Sequence, residues 1–264
     1  MICRRRPRST RDTSPECAPS TASKCSAHRP PRSTERRTCN DRRRSSCRHT
    51  TWDDGAMPLT TYRIDRDGAE RMLVLLHGWS AEQHHLAAYV PLVDPGERYT
   101  AVAPRALHDL PEGDGASWYE RTEQGPDAAS FRHAVDTVAG FIDTELAAAD
   151  ITHDRCVLAG FSQGGFISLA LALRAEAPNY AGVWAMCCAL PDIDGLDLDL
   201  GSGDGRPALI QVGEHDRIIT PDRGLAAAAA MRDGGWNVSE VEYDMAHSQT
   251  IEMMIDARAW LAAI

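Results

Sequence analysis

From residue 71 onward the chain alternates short, wholly apolar blocks with longer amphipathic ones. RMLVLLHG (71–78) is a continuous apolar run of the length expected for a strand buried on both faces. RYTAVAP (98–104), RCVLAG (155–160), AGVWAMCCAL (181–190), PALIQVGE (207–214) and WNVSEVEY (236–243) predict further strands. The blocks between them have helical spacing. A short helical stretch falls near HHLAAYVPLV. A longer helix starts at about Asp127, with Phe131, Val135, Val138, Ile142 and Leu146 on one face and Asp136 and Asp143 on the other. The segment after Ser162 is apolar on most sides, which predicts a buried helix. Thr220-Pro221-Asp222 opens another helix and Gly234 ends it. TIEMMIDARAWLAAI forms the last. Strand–helix alternation of this kind predicts an α/β fold, a mostly parallel sheet with helices on both faces.

Two connections stand out. The stretch 105–126 is long for a compact domain, which marks it as functional. The loop 191–206 is short and polar, too small for a large cap domain.

Composition divides the chain. It has 264 residues, 43% hydrophobic and 25% charged, enough for one sizeable domain with a tail. Residues 1–56 hold 13 Arg, one Lys and six acids, a net charge of +8, so the total of −10 leaves −18 for 57–264. The first 56 residues contain no Val, Leu or Phe, which predicts a disordered Arg/Ser/Pro-rich leader. They read as sequence upstream of a true start at Met57, with 57–264 as the folded domain. A surface charge of −18 repels nucleic acid and anionic membranes. No stretch reaches the ~18 uninterrupted apolar residues of a membrane span. Five of the eight cysteines lie in the leader with no C-x-x-C pair, so a zinc site is not expected. Cys156, Cys187 and Cys188 read as reduced core thiols, the pattern of a cytoplasmic protein.

The chemistry gathers at predicted strand ends. Gly160-Phe161-Ser162-Gln163-Gly164 fits G-x-S-x-G, a strand-to-helix turn that pushes a serine hydroxyl into solvent. Asp216 follows the strand 207–214 and His247 follows 236–243. In a doubly wound sheet functional groups collect at these carboxyl edges, and Ser–Asp–His is the α/β-hydrolase order. Ser162 is the candidate nucleophile and His247 its base. Asp216 would orient the imidazole, with Glu214 as a rival for that place. The N–H of Gln163, opening the following helix, and that of Trp79 are the candidate oxyanion donors, Gly78 allowing close backbone approach. His77 reads as a structural hydrogen-bonding group. Adjacent His84 and His85 face different ways and make a poor chelate. GSGDG (201–205) follows no strand that opens onto a helix. No metal or cofactor is expected.

The chain resembles the phospholipase/carboxylesterase family of α/β-hydrolases, small bacterial esterases similar to acyl-protein thioesterases. The resemblance covers nearly all of 57–264. LVLLHGWSAEQHHL, AVAPRALHDLPEGDGASWYE, GFSQGGFISLALAL, GEHDRIIT and MAHS carry it. It implies Ser162, Asp216 and His247 as the triad, Trp79 and Gln163 as the oxyanion donors, and Trp118 as part of the acyl pocket. Tyr119 beside it joins the same wall. Many members have Gly where this chain has Ser80. The resemblance implies a carboxylesterase without cofactor, and dimers occur in some members; the lack of a cap domain predicts an open, shallow site and a small-molecule ester of short to medium acyl length as substrate. Thioesters, lysophospholipids and a non-catalytic ligand-binding role are the alternatives.

Overall fold

A computed structural model describes residues 59–264 with the exception of residue 114; the expectations for the leader fall outside the described residues. The frame is a seven-stranded sheet: β1 (Thr61–Ile64), β2 (Arg71–Leu76), β3 (Tyr99–Pro104), β4 (Cys156–Phe161), β5 (Gly182–Met186), β6 (Pro207–Gly213) and β7 (Asn237–Tyr243). Their spatial order is β1-β3-β2-β4-β5-β6-β7. All neighbours run parallel except β1, which pairs antiparallel with β3.

The apolar runs of the strands sort into two cores by their period of two. In β2, Met72, Val74 and Leu76 enter one core while Leu73 and Leu75 enter the other. β6 does the same, with Ala208, Ile210 and Val212 opposite Leu209. Two short helices, α1 (His84–Ala87) and α2 (Val90–Val93), cover one face together with the last helix, α6 (Ile251–Ala263). The other face carries α3 (Ala128–Ala149), α4 (Gln163–Leu173) and α5 (Pro221–Asp233). Both faces are therefore covered, as the alternation predicts.

Local sequence sets the helix limits. Asp127 caps α3 by accepting from Ser130 N–H at 2.8 Å. Thr250 caps α6 through Met253 N–H. Thr220 sits at the N-cap of α5, but its side chain makes no capping bond.

Glu145 and Gln211 are among the buried polar groups that the hydrophobic pattern does not reveal. Glu145 lies on the buried face of α3 and pairs with Arg63 of β1. Gln211, fully buried in β6, accepts from Trp184 Nε1 at 2.7 Å and donates to Tyr243 Oη at 2.7 Å and Met253 O at 2.9 Å. One amide thus joins β5, β6, β7 and α6.

The connection 105–127 is not irregular throughout. It holds one short antiparallel pair, His108–Asp109 with Ala116–Ser117, and a second, Arg121–Thr122 with Gly125–Pro126. Among the described residues no inserted domain stands over the sheet's carboxyl edge.

Candidate active site

At the end of β4 the chain turns into α4 through Ser162, whose φ of 52° and ψ of −116° lie outside the regions favoured by side-chain-bearing residues. The strain is held from several directions. Ser162 N–H donates to Met186 O at 2.9 Å, and Ser162 O accepts from Phe166 N–H at 3.0 Å. A Cβ on Gly160 would collide with the Gly164 backbone, and one on Gly164 with the Leu76 carbonyl. The motif's glycines are thus needed for a helix start packed directly onto two strand ends.

Two further strand ends approach the serine. His247, in the loop after β7, has its Nε2 at 2.8 Å from Ser162 Oγ. Its Nδ1 lies 2.6 Å from Asp216 Oδ2. The other carboxylate oxygen, Oδ1, accepts from Ile218 N–H at 2.8 Å and Ile219 N–H at 2.9 Å. Asp216 is buried, and the Phe161 ring packs 5.0 Å from the imidazole. Glu214 is exposed and makes no such approach, so Asp216 takes the orienting position. Three residues far apart in the chain form one hydrogen-bonded line. Such a line can move a proton off a hydroxyl while a buried carboxylate steadies the resulting imidazolium.

Gln163 is the first residue of α4, where an N–H has no acceptor one turn back. The Trp79 N–H makes no hydrogen bond to a described residue. The turn carrying Trp79 is clamped to the 105–127 connection: Ser80 N–H donates to Ala116 O at 3.1 Å, and Ala116 N–H to Ala81 O at 3.1 Å. Ser80 adopts φ 62°, a left-handed conformation that suits glycine.

Beneath this turn sits His77, fully buried. Ala106 N–H donates to its Nε2 at 3.1 Å, so the proton is on Nδ1, which donates to Gly78 O at 2.8 Å. Burial pulls its pKa down to about 4, helped by Arg105 and opposed by the Gly78 bond and Glu82. The neutral ring is a fixed strut.

Trp118 corrects an expectation. It is not a wall of the pocket. It is fully buried, with Nε1 donating to His77 O at 2.7 Å and its backbone N–H to Gln163 Oε1 at 3.1 Å. An indole N–H in the interior needs an acceptor, and the His77 carbonyl supplies it. Tyr119, on the opposite side of the chain, does line the cleft.

The cleft beside Ser162 has a volume of ≈ 270 Å³. Phe131, Phe166, Leu190, Ile193 and Ile219 give it apolar walls, and Trp79 and Ile218 stand exposed at its mouth. Arg121, Arg223 and Asp192 add charge. A wider groove of ≈ 690 Å³ shares Trp79, Tyr119 and Arg121 with it. None of these wall residues except Tyr119 was foreseen. Phe166 had a signal, since it lies in the first turn of the helix that Ser162 opens.

Among the described residues two clusters bring three metal-ligand atoms within 4.8 Å of one another: Cys187 with Asp216 and His247, and Glu214 with His215 and Asp244. In the first, burial pushes the Cys187 thiol up to about 12, with Asp216 adding to it, and its Sγ lies 3.6 Å from Ser248 O while Asp216 and His247 are bonded to each other. In the second, all three residues are exposed and His215 Nε2 is already 2.8 Å from Asp244 Oδ1.

A parallel sheet covered on both faces, with a strained serine at one strand end facing a histidine and an aspartate from two others, defines the α/β-hydrolase class. Within it, the chain belongs to the phospholipase/carboxylesterase family, whose model matches residues 63–264. MhqD of Bacillus subtilis (strain 168) is 23% identical over 203 residues, 74% of this chain and 94% of that protein. A carboxylesterase from Bacillus cereus has a similar structure, with a TM-score of 0.68 at 18% identity over 78% of this chain and 94% of that one. A carboxylesterase from Mesorhizobium loti gives a TM-score of 0.67 at 21% identity, covering 78% and 95%. At these identities the two structures share the fold with this chain.

Proposed function

We propose that this protein is a serine carboxylesterase that cleaves small-molecule esters of short to medium acyl length through an acyl-enzyme. The observation that carries this reading is the hydrogen-bonded line from Ser162 Oγ through His247 to buried Asp216, opening on an apolar cleft.

In this reading each step uses a contact of the site. His247 Nε2 takes the proton from Ser162 Oγ as the oxygen attacks the ester carbonyl. The Nδ1–H bond to Asp216 fixes the tautomer that leaves Nε2 free to accept. The N–H groups of Gln163 and Trp79 receive the developing oxyanion, each contributing ~10²–10³ in turnover by analogy with other hydrolases. His247 returns its proton to the departing alkoxide. Water then attacks the acyl-enzyme by the same route, and no metal or redox partner enters the balance. A cleft of ≈ 270 Å³ suits a short to medium acyl chain better than a long one.

The setting fits a reducing compartment such as the cytoplasm. Cys156, Cys187 and Cys188 are free, buried thiols. No helix among the described residues is long and apolar enough to cross a membrane.

The test is hydrolysis of 4-nitrophenyl esters of increasing acyl length by the full chain and its Ser162→Ala variant, with acyl thioesters in parallel. A fluorophosphonate probe should label the peptide containing Ser162. Turnover that survives intact in the variant would sink the proposal. Thioester turnover exceeding that of matched oxygen esters would reassign the substrate.

A further inference from the structure

We propose that the cleft selects esters that carry an anionic group, a carboxylate in the simplest case, and that Arg121 and Arg223 bind it. This rests on the reading of Ser162 as the nucleophile.

The first argument is charge pairing. Residues 57–264 carry 32 acids against 14 basic residues, all of them arginines. Arg63, Arg66, Arg105, Arg155, Arg174 and Arg232 each pair with one. Of the arginines that form no ion pair with a described residue, Arg121 and Arg223 are the two that line the cleft holding Ser162. Asp192, the one acid lining it, has no ion-pair partner among the described residues either, so two guanidinium groups stand against one carboxylate.

The second argument is placement. Arg121 sits on a paired strand, opposite Pro126, and its guanidinium carbon lies 6.0 Å from the centre of the Trp79 ring. Contact with an aromatic face positions a guanidinium while leaving its N–H groups free for a ligand. Arg223 stands in the first turn of α5, where its N–H donates to Thr220 O at 3.0 Å. The two arginines thus reach the cleft from independent, ordered elements. A planar guanidinium fork matches a carboxylate.

The third argument is the contrast with the other walls. Phe131, Phe166, Leu190 and Ile219 suffice for a purely hydrocarbon acyl chain, which gains nothing from two cations. A ligand with a short apolar stretch and an anionic end uses both parts. The negative field of the rest of the domain opposes the approach of such a ligand, and a local positive pair offsets that field at the mouth.

The experiment compares the full chain with its Arg121→Gln/Arg223→Gln double variant on two matched pairs of esters. Mono-4-nitrophenyl adipate against 4-nitrophenyl hexanoate places the anion on the acyl side. 4-Acetoxybenzoate against its methyl ester places it on the alcohol side. The readout is the ratio of kcat/KM for the anionic ester to that for the neutral one, which is independent of how much of each protein is folded. The double variant should lower this ratio about tenfold in at least one pair, the size of one charge-assisted hydrogen bond at a half-open site. In the wild type the ratio should shrink in 0.5 M salt. The pair that responds identifies which side of the ester carries the charge. Ratios equal in the two proteins for both pairs would overturn the inference and leave the esterase standing. Absence of Ser162-dependent turnover on all four esters would overturn both.

Discussion

Asp216 faces His247 with one carboxylate oxygen and holds the chain with the other. Oδ2 lies 2.6 Å from the imidazole Nδ1, while Oδ1 receives the N–H groups of Ile218 and Ile219. The carboxylate cannot rotate without giving up two backbone bonds in a buried site. The separation of tasks makes it possible to disturb one and keep the other.

Asp216→Asn does so. The asparagine carbonyl can keep both backbone bonds, and its NH₂ then faces His247 Nδ1. The imidazole must accept there and carry its proton on Nε2, where it can no longer take one from Ser162. Ester turnover should fall by about 10³–10⁴-fold with the KM little changed. Thermal unfolding should stay within a few degrees of the wild type. A loss below tenfold would show that Asp216 does not set the tautomer.

Trp118 and Phe166 should separate stability from specificity. Trp118→Phe leaves the His77 carbonyl without its donor in a buried site and should cost about 1–3 kcal/mol in urea unfolding. It should not move the acyl-length optimum, because Trp118 lies beneath the site. Phe166→Ala enlarges the cleft itself and should shift the optimum toward longer chains. If Trp118→Phe alone moved the optimum, the indole would have to reach the substrate after all.

His77 gives the fold a pH dependence of definite sign. Its pKa is about 4 in the folded chain and near 6.5 when unfolded. Between these values the unfolded chain holds a proton that the folded chain does not. Stability that is fully present above pH 6.5 is therefore lost as the pH falls toward 4, by about 3 kcal/mol at most. Urea unfolding at pH 7.5 and pH 4, compared with His77→Gln, should show the difference between the two proteins narrowing by that order. An unchanged difference would mean that the ring titrates normally.

Ser80 holds a left-handed conformation at a position where glycine is at ease. Ser80→Gly should stabilise the protein by about 0.5–1 kcal/mol, the relief of strain less the added freedom of the unfolded chain. The denaturation midpoint measures it. A lower midpoint would mean that the serine side chain contributes more than its backbone strain costs.

The sheet and its helices were legible because strands buried on both faces leave continuous apolar runs, and because α3 repeats at 3.6 residues. Glu145 was hidden since its partner, Arg63, lies on β1, a strand of four half-buried residues with no pattern of its own. Ser162, Asp216 and His247 could be named because each follows a predicted strand. Trp118 and Tyr119 are neighbours in a bend just after the short strand Ala116–Ser117, and the sequence does not say which of the two faces the cleft. That was decided by the need of the indole N–H for an acceptor at His77. Arg121 and Arg223 sit in polar stretches where arginine is ordinary, so only their place on the cleft beside Ser162 marks them out.

The strained turn at Ser162 depends on backbone packed against backbone at Gly160 and Gly164, whereas the cleft is walled by side chains, most of them on the separate stretches 119–131, 190–193 and 218–223. Inheritance can treat these parts differently. A substitution at either glycine is lost with the reaction itself, while wall residues can drift, lengthen or be exchanged under selection for a new ester. Libraries for altered substrate range should therefore leave the turn untouched and randomise the walls.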